Sequence, residues 1–378
     1  MILPPLSLYI HVPWCVQKCP YCDFNSHGKK GDIPESEYIQ HLLADLREDL
    51  AYVQGRKLHS IFIGGGTPSL FSGAAYQTLL SEIERLIGFC DDIEITLEAN
   101  PGTVETDRFK HYVAAGINRI SIGVQSMQSD KLKALGRIHD EHEAVRAAHE
   151  AQQAGLNSFN LDLMHGLPDQ SLDDALSDLR AAIALQPPHL SWYQLTIEPN
   201  TQFASKPPLL PEDETLWDIQ EQGQALLAAH GYQQYEISGY AKTGYQCRHN
   251  LNYWRFGDYL GIGCGAHGKV TLATEQRIVR TVKIKHPRGY MDISKPYLDK
   301  CWEVTAEELP FEFFMNRLRL QEPCPKADFE ALTGLPLEVV APQLEAAQAK
   351  GLLEDQGHSW LVTNKGHRYL NDLLELFV

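Results

Sequence analysis

Cys15, Cys19 and Cys22 fall in the run HVPWCVQKCPYCDF at C-x3-C-x2-C spacing, with Tyr21 just before the last of them. Three thiolates on so short a segment suit a metal centre. They can hold three irons of a [4Fe–4S] cluster and leave the fourth without a protein ligand, whereas electron-transfer clusters ordinarily take four cysteines. An open iron is a place for an exchangeable ligand. The competing chemistry is structural zinc, with His11 or His27 completing four ligands. Zinc sites usually present two separated ligand pairs, and no second C-x2-C or H-x3-H pair follows here.

Further along, other residues have types that do chemistry. Gly64-Gly65-Gly66-Thr67-Pro68 lets backbone approach a ligand closely, or makes a tight strand-to-helix turn. Glu98 in LEANPG offers acceptors to ribose hydroxyls, or is a solvated loop carboxylate. Gln125 stands in GVQS, Arg137 in LGRIHD and Asp162 in NLDLMHGLP. An acid inside an apolar strand needs a partner when buried, either a ligand or a salt bridge at the core edge. His139 and His165 read as local hydrogen-bonding residues. In HNLNYW, a neutral His249 imidazole can ligate iron while Tyr253 and Trp254 offer flat faces to a macrocycle; the alternative is a structural loop histidine. Cys247 and His249 form C-x-H, which is not the C-x-x-C-H of covalent heme attachment. Cys264 and His267 in GIGCGAHG are a second candidate contact or a glycine-rich turn with a buried thiol. Cys90, Cys301 and Cys324 have no metal spacing. Tyr193, Gln194 and Glu198 are candidates to line a cavity.

These residues recur at the ends of apolar runs, which shows what must position them. Candidate strands are 7–12, 59–63, 94–98, 119–124, 158–164 and 192–197. Helical periodicity falls near 35–53, 74–87, 104–115, 141–154 and 171–185. Six strand–helix alternations predict a parallel sheet, a partial (β/α)6 TIM-like barrel, with functional groups at the carboxyl ends of the strands. Past residue 200 the alternation breaks. Pro207, Pro208 and Pro211 precede a helix near 213–230, followed by an aromatic, glycine-rich stretch. From about 303 the pattern is helical again, with a hairpin over 351–363, which together resemble a winged-helix module. The expected division is a barrel over 1–290, with an extension at about 200–290 that carries His249, and a C-terminal unit over 291–378.

Composition narrows the partners. The 378 residues are 43% hydrophobic and carry a formal net charge of −16, which argues against nucleic acid or anionic lipid. Residues 303–378 hold 6 Lys+Arg against 13 Asp+Glu, a net of −7, so the winged-helix pattern there is read as a cover or docking unit and not a DNA reader. There is no apolar run long enough to span a membrane and no secretory signal, and eight cysteines suit a reducing cytoplasm.

The cysteine spacing resembles the signature of the radical S-adenosylmethionine (SAM) enzymes, in which the amino and carboxylate groups of SAM chelate the open iron and the reduced cluster cleaves the sulfonium to a 5′-deoxyadenosyl radical. SLYIHVPWC, FIGGGTPS, LEANPG, RISIGVQS, LGRIHD, FNLDLMHGLPDQ and HNLNYW together resemble the anaerobic coproporphyrinogen oxidase-like family. The resemblance implies a first SAM site at Tyr9, Gly65 and Glu98, and a second at Gly66, Thr67, Gln125, Arg137 and Asp162. It also implies one of two activities. The oxidases of that family convert two propionates of coproporphyrinogen III to vinyl groups. Its heme-chaperone branch binds heme and delivers it to apoproteins, respiratory enzymes at the membrane among them. The oxidases carry a further cysteine two residues after the third, where Phe24 stands here, and an extension ahead of the cluster strand, where eight residues precede Tyr9. HNLNYW matches the chaperone branch and implies heme at His249. The expectation is therefore a cytoplasmic heme chaperone with a SAM-bound [4Fe–4S] cluster.

Overall fold

The structure is a computed structural model and describes residues 1–29, 31–103 and 107–378. Six strands run parallel in chain order: β1 (Leu6–Val12), β2 (Leu58–Gly65), β3 (Phe89–Ala99), β4 (Arg119–Gln125), β5 (Ser158–His165) and β6 (His189–Gln194). The first five contain the expected strands. The sixth begins three residues before the expected 192–197 and ends three residues sooner. Between them lie α1 (Glu35–Glu48), α2 (Gly73–Ile87), α3 (Arg108–Ala114), α4 (Ser129–Ala134), α5 (Glu141–Gln153) and α6 (Leu172–Ala184). The start of the helix expected over 104–115 lies outside the described residues.

Side chains alternate across these strands, and the alternation explains the whole architecture. One face carries Leu8, Ile10, Ile61, Ile63, Ile95, Leu97, Ile120, Ile122, Leu161 and Leu163, all buried in one apolar cluster beneath the helices. The helices meet it with their own apolar stripes, such as Leu42 and Leu46, Leu79 and Ile83, and Ala144, Ala147 and Ala151. Several start on side-chain caps: Ser72 accepts from Ala75 N, while Asp140 and Ser171 form capping boxes with Glu143 and Asp174. The other face is polar. Register aligns Ser7 with Ser60 and Glu94, Glu98 with Ser121 and Asn160, and Asp162 with Ser191. This concave face is where the chemistry-bearing residues meet.

After α7 (Asp213–Ala229) come β7 (Gln233–Gln234) and β8 (Gly239–Ala241); β8 adds antiparallel to β6, and β7 pairs antiparallel with β8 at the sheet edge. The aromatic, glycine-rich stretch then does more than the sequence suggests. It forms α8 (Arg248–Trp254) and β9 (Asp258–Ile262), and β9 pairs parallel with β1 on its far side. From β9 the sheet continues through β10 (His267–Leu272), β11 (Arg277–Lys283) and β12 (Leu298–Glu303). The described residues thus make one twelve-stranded sheet, which runs beyond residue 290. Buried ion pairs fasten this half: Lys283 lies between Asp45 and Asp49, at 2.6 and 2.8 Å, and Asp258 between Arg56 and Lys269, at 2.8 and 3.1 Å.

The C-terminal segment has its own core of Phe313, Phe314, Phe329, Trp360 and Phe377. Its elements are α9 (Leu309–Arg317), α10 (Lys326–Thr333), α11 (Ala341–Ala349) and the hairpin β13 (Leu353–Asp355) and β14 (Ser359–Val362). Arg255, at the end of α8, and Arg317 of α9 both bond Glu322 and tie the two cores together.

Candidate cofactor-binding site

Strand β1 delivers the chain to the carboxyl edge of the sheet, where the cysteine loop begins. Cys15 is buried, and Cys19 and Cys22 are half-buried. All three line one cavity of about 300 Å³. Burial pushes the Cys15 and Cys22 thiols up, while hydrogen bonds oppose the shift at each. No three His, Cys, Asp or Glu side chains among the described residues are set to hold a single metal ion. Thiols spaced around a cavity wall suit a cubane, which needs room between its ligands, better than a zinc ion bound at about 2.3 Å per sulfur. The histidines considered for zinc are engaged elsewhere. His11 bonds Tyr9 Oη and Asn25 O, at 2.9 and 2.8 Å, and His27 lies against Asn25 and His286.

The glycine run packs against the start of the cysteine loop. Gly65 has φ +113°, and a Cβ there would meet the His11 ring at 2.4 Å; one on Gly66 would meet Trp14 O at 2.6 Å. Packing alone therefore demands these glycines, as the tight-turn reading expects. Their N–H groups are spent: Gly65 N donates to Glu98 (3.1 Å), Gly66 N to Val12 O (2.7 Å) and Thr67 N to Trp14 O (2.8 Å). The backbone of Gly65, Gly66 and Thr67 can offer a ligand only carbonyl acceptors, which suit an ammonium and not a phosphate.

Gly65, Gly66, Thr67, Glu98, Gln125, Arg137 and Asp162 all line the cysteine cavity, together with Tyr193, Gln194 and Glu198. Glu98 is a strand residue facing the cavity, not a solvated loop carboxylate. Burial, reinforced by the Asp162 charge, raises its pKa to about 7, and the Gly65 N–H opposes the shift. Among the described residues Asp162 has no salt bridge; Ser121 and Asn160 donate to it at 2.8 Å each. Gln125 is held at φ +70°, outside the ordinary region for a side chain, and accepts from Tyr193 Oη at 3.0 Å. Arg137 donates to Gly123 O at 2.7 Å and reaches Cys19 Sγ at 3.6 Å. A sulfonium and an ammonium would find Glu98 and Asp162 here, and a carboxylate would find Arg137.

A second cavity of about 920 Å³ shares Asp23, Phe24, Gly65 and Glu98 with the first, so the two are lobes of one interior. Tyr9 lines this second lobe, as do His249, Tyr253 and Tyr259. The first-site candidates Tyr9, Gly65 and Glu98 thus meet on this second lobe, while Gly66, Thr67, Gln125, Arg137 and Asp162 line only the first, with Gly65 and Glu98 in the wall between them. His249 is buried, its backbone N bonded to Glu94 at 3.1 Å and its Nδ1 to Ser60 at 3.1 Å. Burial, with the nearby charge of Arg119, pushes its pKa down to about 3, so the ring is neutral. Trp254 does not face this lobe. It packs edge-on to Tyr253 with Arg319 over its ring, so only Tyr253 of the two aromatics offers a face.

The remaining candidates fall into structural roles. His139 bonds Val124 O at 3.0 Å, as expected of a local hydrogen bond, while His165 stacks on Trp192 at 4.3 Å. Cys264 is buried in the turn after β9, and His267 lines the large lobe. Residues missed in the sequence include Ser60 and Asn25. Asn25 bridges His11, Cys264 and Lys285 across more than 230 positions, which no local pattern signals.

Comparison with known proteins agrees with this geometry. The model of the Radical SAM superfamily matches residues 9–180 and that of the HemN C-terminal domain residues 304–369. Over its full length the chain is 64% identical to the heme chaperone HemW of Escherichia coli strain K12, covering 99% of that protein. It belongs to the HemW family. The HemW of Haemophilus influenzae is 61% identical over the whole chain and 98% of its own length. Among solved structures, coproporphyrinogen III oxidase (HemN) from Escherichia coli superposes with a TM-score of 0.84 over 99% of this chain and 90% of its own, at 23% identity. At that identity the likeness establishes the fold that HemW proteins share with the oxidase, and no more.

Proposed function

We propose that this chain is a heme chaperone that binds heme at His249 and passes it to heme-requiring apoproteins, with a SAM-bound [4Fe–4S] cluster at Cys15, Cys19 and Cys22. The observation that carries the reading is the large lobe. It is a half-open cleft of a size at the upper end of the range for small-molecule sites, with a neutral histidine at depth and the flat ring of Tyr253 beside it. When Nδ1–H of His249 donates to Ser60, Nε2 keeps its lone pair for iron. The reading keeps two SAM sites, a first at Tyr9, Gly65 and Glu98 and a second at Gly66, Thr67, Gln125, Arg137 and Asp162, the second set lining the cysteine lobe. A reduced cluster bearing SAM supplies one-electron cleavage of a sulfonium. The chain's own part would be to offer the carboxylates of Glu98 and Asp162 to the cationic end of SAM and the Arg137 guanidinium to its carboxylate. Tyr9 stands with Gly65 and Glu98 on the neighbouring lobe, its hydroxyl hydrogen-bonded to His11.

The reading includes acceptors among respiratory enzymes at the membrane and a cytoplasmic location. No helix among the described residues is long and apolar enough to cross a membrane. It also keeps a barrel over 1–290, with the His249 segment at about 200–290, and a C-terminal unit over 291–378 that serves as a cover or dock. Heme titration of the wild type and His249→Ala tests the assignment. The variant should lose axial histidine ligation in its absorption spectrum; unchanged binding would remove His249 from the site. The second reading, coproporphyrinogen oxidation, is weakened by Phe24, an exposed ring in the wall of both lobes where the oxidases place a cysteine. Robust formation of protoporphyrinogen by the reduced protein with SAM would restore it.

A further inference from the structure

The large lobe is graded along its depth. His249 and Tyr259 lie buried at one end, bonded to or paired with residues at the start of the strands: His249 with Ser60, Tyr259 with Ser7. Lys18, His267 and Lys285 line the same lobe and are exposed. They belong to the opposite edge of the sheet. Lys18 sits on the cysteine loop after β1, His267 opens β10 just past the end of β9, and Lys285 follows β11. From Ser7 to His11 the strand climbs four residues, about 13 Å. The rim thus stands about one macrocycle radius and one side-arm above the histidine.

The rim also differs in charge from the rest of this acidic chain. Neither Lys18 nor Lys285 has an ion-pair partner among the described residues, although the chain holds 49 Asp+Glu against 33 Lys+Arg. Both are held in place through neighbouring groups. Lys18 Nζ donates to Phe24 O at 3.0 Å, and Lys285 O accepts from Asn25 at 2.8 Å and from the Cys264 thiol at 2.6 Å. The carboxylates in the same wall are Asp23 and Glu98, and Glu98 belongs to the boundary with the cysteine lobe.

We infer that Lys18, His267 and Lys285 form a carboxylate-binding rim that takes the two propionates of a heme whose iron lies toward His249. The inference rests on the heme reading above and adds orientation to it: propionates outward, vinyl edge inward against Tyr253 and Tyr259. Ammonium groups bind carboxylates by charge-assisted hydrogen bonds, and here they would select a free diacid over any esterified or neutral porphyrin.

Equilibrium titration with heme and with heme dimethyl ester tests it. The wild type should favour the diacid by about fivefold or more, a modest figure because the lysines are solvent-exposed. Lys285→Glu, which leaves the cysteine loop untouched, and the double variant Lys18→Ala/Lys285→Ala should lose that preference while keeping the axial-histidine spectrum and the wild-type iron and sulfide content. An equal affinity of the wild type for both porphyrins, or a preference that survives in the variants, overturns the rim. Failure of the wild type to bind either porphyrin instead overturns the heme reading on which the rim depends.

Discussion

Ser60 has no reactivity of its own, yet its hydroxyl decides how the His249 imidazole in the large lobe is turned. It bonds His249 Nδ1 at 3.1 Å and Ser7 Oγ at 2.7 Å, and Asn252 donates to Ser7 at 2.8 Å. Losing such an orienting partner typically weakens a metal–histidine bond by tenfold or more. Ser60→Ala should therefore lower heme affinity about tenfold without changing iron and sulfide content; a titration curve that superimposes on the wild type would show that another group sets the ring. Residues of this kind are invisible in a sequence. The cysteine triplet is legible because its members are neighbours in the chain, and Glu98, Gln125 and Asp162 because each ends or interrupts an apolar run. Ser60, Asn25 and Lys285 acquire meaning only when distant strands meet. Asp162 shows the same limit from the other side, since a strand acid reads as needing a ligand or a salt bridge, while the neutral donors Ser121 and Asn160 that bond it come from other positions of the sheet face.

Helix α8 has seven residues and no side-chain cap, too short to persist by its own propensity. Tertiary bonds hold it: Arg248 to Asp92, His249 N to Glu94, and Asn252 to Ser7 Oγ and Asp258 O at 2.8 and 3.0 Å. Asn252→Leu leaves those buried acceptors short of a donor and should cost about 2 kcal/mol in urea denaturation, with a broadened heme absorption band as α8 loosens; an unaltered midpoint would place the anchor elsewhere. The same dependence explains why this element was missed. HNLNYW reads as part of an aromatic loop because nothing within it favours a helix. The five early strands were legible because their outer faces alternate regularly. Strands β10 and β11 were not, because Lys269 and Lys283 sit buried at core positions and break the apolar pattern, Lys269 paired with Asp258 of the preceding strand and Lys283 with Asp45 far away in the sequence. The sixth strand was set late because Trp192 and the residues after it carry the apolar signal, while its true start is His189, a buried polar residue bonded to Asn160 and Tyr235.

At the scale of the whole molecule, buried imidazoles couple stability to acidity. His165 lies under Trp192, and burial alone lowers its pKa to about 4. Unfolded, the ring takes up a proton near pH 6.5. The stability it contributes is complete above that value and is lost as the pH falls toward 4. Between pH 7 and pH 5 the wild type should lose about 2 kcal/mol more than His165→Leu, read from urea midpoints at each pH; parallel profiles would refute the burial effect. A second proton matters more widely. Glu98 stands in the wall of both lobes, and its carboxyl is balanced near neutrality. A cation arriving beside it expels its proton, about half an equivalent at pH 7. The heat of SAM binding should then change with the ionisation enthalpy of the buffer, and Glu98→Gln should abolish that dependence; buffer-independent heats in the wild type would count against it. The expelled proton leaves a full negative charge on the partition, which the occupant of the neighbouring lobe feels. By thermodynamic reciprocity that occupant biases SAM binding in return. The two compartments can thus register each other's contents through a single exchangeable proton, with no part of the chain needing to move.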